Sequence, residues 1–382
     1  MNHGTLNHAH DLIASAQLIV IKIGSALLFD PHQGGLQSDW MNALADDVAS
    51  LRQAGKQVVL VSSGSIALGR DKLGMNAGRI KLDEKQAAAA TGQIMLAQAW
   101  MNALSRHDIQ SAQILLAPED TETRRRHLNA RDTMHRLLDY GCVPVVNEND
   151  TITTYEIRFG DNDRLAARVA AMMSADLLIL LSDIDGLYDR NPRRFEGASH
   201  IAVIEDINDE IIAMGDEANA DFATGGMATK LAAAKIATSA GVAMMICNGQ
   251  THHPLSAINN GAKTSVFTAQ IAPTTARKNW IMGALHTEGA VTIDNGASSA
   301  LAKGRSLLPA GVVHVDGQFE RGDLIDIYNQ EKRLIGRGLA GYSALEANKL
   351  KGLKSAQFED IIGYDGRAEL VHADNLVLID HK

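Results

Sequence analysis

Up to about Gly249, short runs of Val, Ile and Leu recur with helical texture between them, and this alternation limits the possible folds more than any other feature. Six runs stand out: Leu18–Ile23, Gln57–Val61, Ser111–Leu116 and residues 142–146, 176–181 and 242–246. None alternates apolar with polar residues, so each reads as a strand buried on both faces. Strand, helix and strand in repetition imply a mostly parallel sheet with helices on either side, a three-layer αβα sandwich in the α/β class. Ser38 is expected to cap a helix running to Ala54 with Gly55 as its stop, and residues 82–106 form a long Ala-rich helical stretch.

After Asn248 the texture changes. Pro254, Asn259, Asn260, Gly261 and Pro273 mark loops, and a boundary is expected near Ala276. Beyond it, residues 290–293, 311–315, 324–328 and 333–337 read as short strands of a small β-rich domain. The expected organisation is a loose tail over 1–16, an αβα domain over 17–275 and the β-rich domain over 276–382.

Charge and cysteine content narrow the partners. A net charge of -9 disfavours nucleic-acid binding over the whole surface, so a polyanionic ligand needs dedicated lysines or backbone amides. Residues 276–382 hold 13 Lys and Arg against 14 Asp and Glu, near neutral and not basic. Two cysteines, Cys142 and Cys247, are too few for a disulfide framework or a four-thiolate metal site and fit a reducing, cytoplasmic setting. The first residues lack the pattern of a signal peptide, and no apolar run reaches the length of a membrane span. The histidines fit no metal-ligand spacing, so no protein metal site is expected.

Residues suited to chemistry gather at strand ends, where open α/β sheets bind ligands. The first run ends in Lys22-Ile23-Gly24-Ser25. A lysine in an apolar strand is costly to bury without an anion, although its ammonium can also snorkel outward from a strand end. The second ends in Ser62-Ser63-Gly64-Ser65, either a plain turn or a cradle of amides and hydroxyls for an anionic group. Asn147-Glu148-Asn149-Asp150 follows the fourth run, and Phe159-Gly160-Asp161-Asn162-Asp163 opens the helix containing Leu165. Like charges so placed need cations or hydrogen bonds, which suggests a polar pocket for an ammonium group beside lysines. The bland alternative is an Asp cap and a solvated turn.

Thr224-Gly225-Gly226-Met227-Ala228-Thr229-Lys230 leads into a further helix, a start whose amides can bind phosphate with Lys230 alongside. Neither the Walker spacing nor a GxGxxG fingerprint occurs. Ser182-Asp183, with Gly186-Leu187-Tyr188 and Asn191-Pro192-Arg193 after it, forms either a surface loop or a lip over a nucleotide base.

In order along the chain, these segments together with Lys85-Gln86-Ala87, Gly92-Gln93 and Asn129-Ala130-Arg131-Asp132-Thr133 resemble the conserved blocks of the amino acid kinase family, and within it the enzymes that phosphorylate glutamate. The tail from about Ala276 is similar to a PUA domain, a fold associated with RNA-modifying enzymes. The resemblance implies ATP as co-substrate with Mg2+, L-glutamate as acceptor through its side-chain carboxylate, and a place in proline biosynthesis with proline as feedback inhibitor and a homo-oligomeric assembly. It implies that Lys22 and Lys230 contact the transferred phosphoryl group and that Asp163 holds them. By the same resemblance Ser63, Asp150, Asp161 and Asn162 bind glutamate, and Ser182, Asp183, Thr224, Gly225, Gly226, Met227, Ala228, Thr229 and Lys230 bind ATP along with Lys22. Ala223 departs from the glycine common before that turn. An acetylglutamate, aspartate or uridylate kinase is the nearby alternative. An RNA-binding regulator with an inert kinase half is the distant one, with Lys349, Lys351 and Lys354 as its possible phosphate contacts.

Overall fold

The computed structural model describes residues 3–30, 35–75, 78, 80–154, 162–217, 226–272, 275–276, 278, 281 and 286–379. The chain divides into two compact units, Met1–Glu122 with Ala130–Pro273 and Thr123–Asn129 with Thr274–Lys382.

In the first unit the described residues form an eight-stranded sheet. Its strands are β1 (Leu18–Ile23), β2 (Gln57–Val61), β3 (Ser111–Leu116), β4 (Val143–Glu148), β5 (Leu177–Ser182), β6 (Val203–Ile204), β7 (Ala243–Asn248) and β8 (Thr264–Phe267). Their spatial order is β6-β8-β7-β5-β1-β2-β4-β3. The strands β1 to β5 and β7 are mutually parallel, as apolar runs imply, but β3 lies at the sheet edge and buries only Leu116, so the expectation of burial on both faces is corrected there. Only β8, antiparallel to β7, and its partner β6 depart from that rule. The sequence reading missed both, because two to four residues at a sheet margin carry too little pattern. The other strands begin or end within two residues of expectation.

Strand parity assigns the two faces. Ile19, Ile21 and Ile23 enter the core covered by α1 (His3–Ser15), α2 (Ser38–Gln53) and α4 (Leu82–Ser105). Leu18 and Val20 point the other way, toward α6 (Asn162–Met173) and α7 (Met227–Ser239). Each fully buried Ile or Leu in these layers contributes about 2 kcal/mol of apolar burial. Lys22 shares parity with Leu18 and Val20, so the strand itself aims its ammonium at the helices of the second face. Beside the sheet, α3 (Ser65–Lys72) crosses α4 closely, and α5 (Arg124–Asp139) supplies Met134 and Leu138 to the second core.

Two other expectations need correction. Within the tail expected to be loose over 1–16, His3–Ser15 form helix α1, and Ala9, Ile13 and Ala16 are buried in the first core. Lys56 Nζ donates to the carbonyls of Ala14 and Ala16, both at 2.7 Å, and so satisfies the end of that helix. A single apolar stripe across 13 residues gave too weak a signal beside three histidines. Ser38 is the first residue of α2 and not its cap, a position held by Gln37, and the helix stops at Gln53.

The second unit holds a five-stranded mixed sheet of β9 (Gly289–Ile293), β10 (Val312–Gly317), β11 (Leu324–Asn329), β12 (Leu334–Leu339) and β13 (Leu376–Leu378) in the order β10-β9-β11-β12-β13. The short β13 escaped the sequence reading. Val291, Ile293, Ile325, Ile327, Tyr342 and Phe358 are buried in a core of its own.

Candidate active site

Three buried charges meet at the carboxyl end of β1. Lys22, at the middle of the sheet between Val61 of β2 and Leu180 of β5, places Nζ 2.6 Å from Asp163 Oδ1. Lys230, in the first turn of α7, places Nζ 3.2 Å from Asp163 Oδ2. Thr229 Oγ1 donates to the same oxygen at 3.1 Å. Their relative exposures are 9% for Lys22, 5% for Lys230 and 1% for Asp163. One carboxylate thus holds two ammoniums that would otherwise repel, and the trio keeps a net positive charge in a region of low dielectric. Burial alone would raise the Asp163 carboxyl, but the two ammoniums, reinforced by their hydrogen bonds, hold it below its ordinary value. Its place in the first turn of α6 also favours the ionised form.

The local backbone keeps the space around these charges open. A Cβ on Gly24 would stand 4.0 Å from Lys22 Nζ, so no side chain fills the approach to the ammonium there. Gly226 precedes α7 in extended conformation, and no acidic side chain occupies the first turn of that helix. The backbone amides of that helix start, beside Lys230, are suited to bind an anion.

A polar cradle adjoins the trio. Asn162 Nδ2 lies 2.7 Å from the Ser62 carbonyl, 2.8 Å from Ser63 Oγ and 3.0 Å from Asn147 Oδ1, three acceptors that share its two hydrogens. Gly64, at a φ of +97°, turns the chain from β2 into α3 in the left-handed region that favours glycine. Ser65 Oγ lies 3.4 Å from Asp150 Oδ2. From α4, Gln93 Oε1 accepts from Asn147 Nδ2 at 2.7 Å, and the buried Trp100 donates Nε1–H to Ser62 Oγ at 2.9 Å. Asn147, Ser65, Gln93 and Trp100 are not among the site residues expected from the sequence. The Gly92-Gln93 block was the signal, but nothing in the sequence said what Gln93 faces.

Ser182 ends β5 next to β1, its hydroxyl 3.1 Å from Asp183 Oδ1, and Arg193 Nη2 reaches Asp183 Oδ2 at 2.7 Å. Burial would raise the Asp183 carboxyl, and Arg193 and Ser182 more than offset it, so it too sits below its ordinary value. The hairpin of Leu187–Tyr188 with His200–Ile201 follows, Tyr188 donating to Asp185 Oδ1 at 2.9 Å. Ser63, Asp150 and Asn162 are thus joined through one hydrogen-bonded cradle, and Lys22, Asp163 and Lys230 form one cluster. Met227 and Ala228 begin α7 directly after Gly226. Asp161, Thr224 and Gly225 lie outside the described residues.

Residues 17–248 match the amino acid kinase family and residues 289–362 match the PUA domain. The chain is 54% identical to a glutamate 5-kinase of Gluconobacter oxydans over 366 residues, 96% of this chain and 97% of that one. It is 54% identical to a glutamate 5-kinase of Agrobacterium fabrum, covering 96% and 94%, and 53% identical to one of Nitrobacter hamburgensis, covering 94% and 95%. With a family match that runs from β1 through β7 and includes the buried trio, and relatives similar over nearly the full length, the chain belongs to the amino acid kinase family.

Proposed function

We propose that this chain is a glutamate 5-kinase, which transfers the γ-phosphoryl group of ATP to the side-chain carboxylate of L-glutamate and yields L-glutamyl 5-phosphate for proline biosynthesis. The observation that carries the reading is the convergence of Lys22 and Lys230, 208 positions apart in the sequence, on the one buried carboxylate of Asp163. The nucleophile, a carboxylate, is ionised at neutral pH and needs no general base. One of its oxygens bonds to the γ-phosphorus as the bond to the bridging oxygen breaks, and ADP leaves with that electron pair. What the protein supplies is alignment and positive charge around the migrating group, the task of buried lysines and helix-start amides.

Under this reading Lys22 and Lys230 contact the phosphoryl group, and Asp163 orients them. Gly226, Met227, Ala228 and Thr229 bind the nucleotide together with Thr224 and Gly225, and Ser182 and Asp183 also belong to the ATP-binding set. Ser63, Asp150 and Asn162 hold glutamate with Asp161. Both Asp163 oxygens face ammoniums, and among the described residues no group of three His, Cys, Asp or Glu could cage a metal. Magnesium bound together with ATP would neutralise charge on the migrating phosphoryl group.

Trapping the acyl phosphate with hydroxylamine, using ATP and in turn glutamate, aspartate and N-acetylglutamate, tests the assignment. Hydroxamate from glutamate is expected; hydroxamate from either other acid and none from glutamate would defeat it. Inhibition by proline and a homo-oligomeric state belong to the same reading, checked by adding proline to that assay and by light scattering. Two free cysteines support a cytoplasmic location.

A further inference from the structure

A chain of three side-chain amides runs from α4 into the cradle, and two backbone groups fix its direction. The Glu148 N–H donates to Asn147 Oδ1 at 2.9 Å, and a backbone N–H can only donate. The carbonyl of Asn147 therefore faces Glu148 N and Asn162 Nδ2, which turns its own Nδ2 toward Gln93 Oε1. At the far end the Ser62 carbonyl, which can only accept, takes Asn162 Nδ2. The bonds of Asn162 within the cradle all leave from Nδ2, so its Oδ1 is the atom turned out of the network.

We propose that Gln93 is a positioning residue for substrate specificity: by accepting from Asn147 it locks the amide chain so that Asn162 Oδ1 offers an acceptor to the α-ammonium of the bound amino acid. This rests on the glutamate 5-kinase reading above. A carbonyl oxygen favours an N–H donor and disfavours a carboxylate, so the device separates an amino acid from a dicarboxylate of equal length. Gln93 reaches Asn147 because its neighbour is glycine: a Cβ on Gly92 would stand 1.8 Å from the Ser65 carbonyl, and without one α4 lies against α3.

The test compares full-length wild type with Gln93→Met, which keeps volume and loses the acceptor, and Gln93→Glu, which keeps an acceptor oxygen. The readings are KM for glutamate, KM for ATP and the inhibition constant of glutarate, which has both carboxylates and no ammonium. In Gln93→Met the KM for glutamate is expected to rise about tenfold, with the glutarate constant and the KM for ATP within about twofold of wild type, the effect of one misplaced hydrogen bond to a charged group. Gln93→Glu is expected to restore the preference. An equal rise for glutamate and glutarate in Gln93→Met, or a preference lost as fully in Gln93→Glu, would overturn the role of Gln93 and leave the kinase reading standing. A wild type that does not turn over glutamate would overturn both.

Discussion

At the scale of single residues, Asp163 matters through the two cations it keeps together. Removing Lys230 leaves one ammonium where two are needed, and Lys230→Ala should lower kcat by on the order of 10³-fold while the KM for glutamate changes little. Single-turnover and steady-state kinetics check it; a near-normal kcat would remove the assigned role. Asp163 also ties stability to pH. Its folded pKa lies below the ordinary carboxyl value of 3.8, so its contribution is complete above that value and is lost as pH falls through the lower, folded one. Asp163→Asn lacks this contribution, so the stability gap between wild type and variant should shrink as pH drops below about 3.8. Denaturant midpoints for both proteins near neutrality and near pH 3 would show it, and a gap constant with pH would contradict it.

Among elements, α4 is the one that joins core to cradle. Gly92, Leu96, Trp100 and Ala103 bury one face of it, and two of its side chains, Gln93 and Trp100, end on cradle residues. Gly92→Ala would drive a methyl into the Ser65 carbonyl and force the two helices apart, costing about 3 kcal/mol or more. A denaturant midpoint unchanged from wild type would refute the tight crossing. Trp100→Phe keeps most of the packing and removes the donor to the fully buried Ser62, for a loss of about 1 to 3 kcal/mol by the same measurement. The parallel strands β1, β2, β4, β5 and β7 were readable because buried parallel strands are apolar, whereas the edge strand β3 buries only Leu116. The edge pair β6 and β8 and the three-residue β13 were not, since pairing with a neighbour, and not local pattern, makes them strands.

For the whole molecule, the two units each close their own hydrophobic core. Calorimetric unfolding should therefore depart from a single two-state transition. ATP with glutamate should raise the transition of the sheet unit that carries Lys22 and Asp163 and leave the other in place, by mass action. One cooperative transition that moves as a whole would contradict this.

By itself the sequence determined the layered α/β architecture, the strand that carries Lys22 and the order of the polar blocks, because buried strands and helix starts write their requirements into adjacent residues. It did not determine which of those blocks touch. That Asp163 lies between Lys22 and Lys230, that Asn162 reaches back to Ser62 and Ser63, and that Gln93 of α4 closes the amide chain are facts of tertiary structure. Contacts between residues tens to hundreds of positions apart depend on how strands order in the sheet and how closely helices approach, and no local pattern encodes either distance.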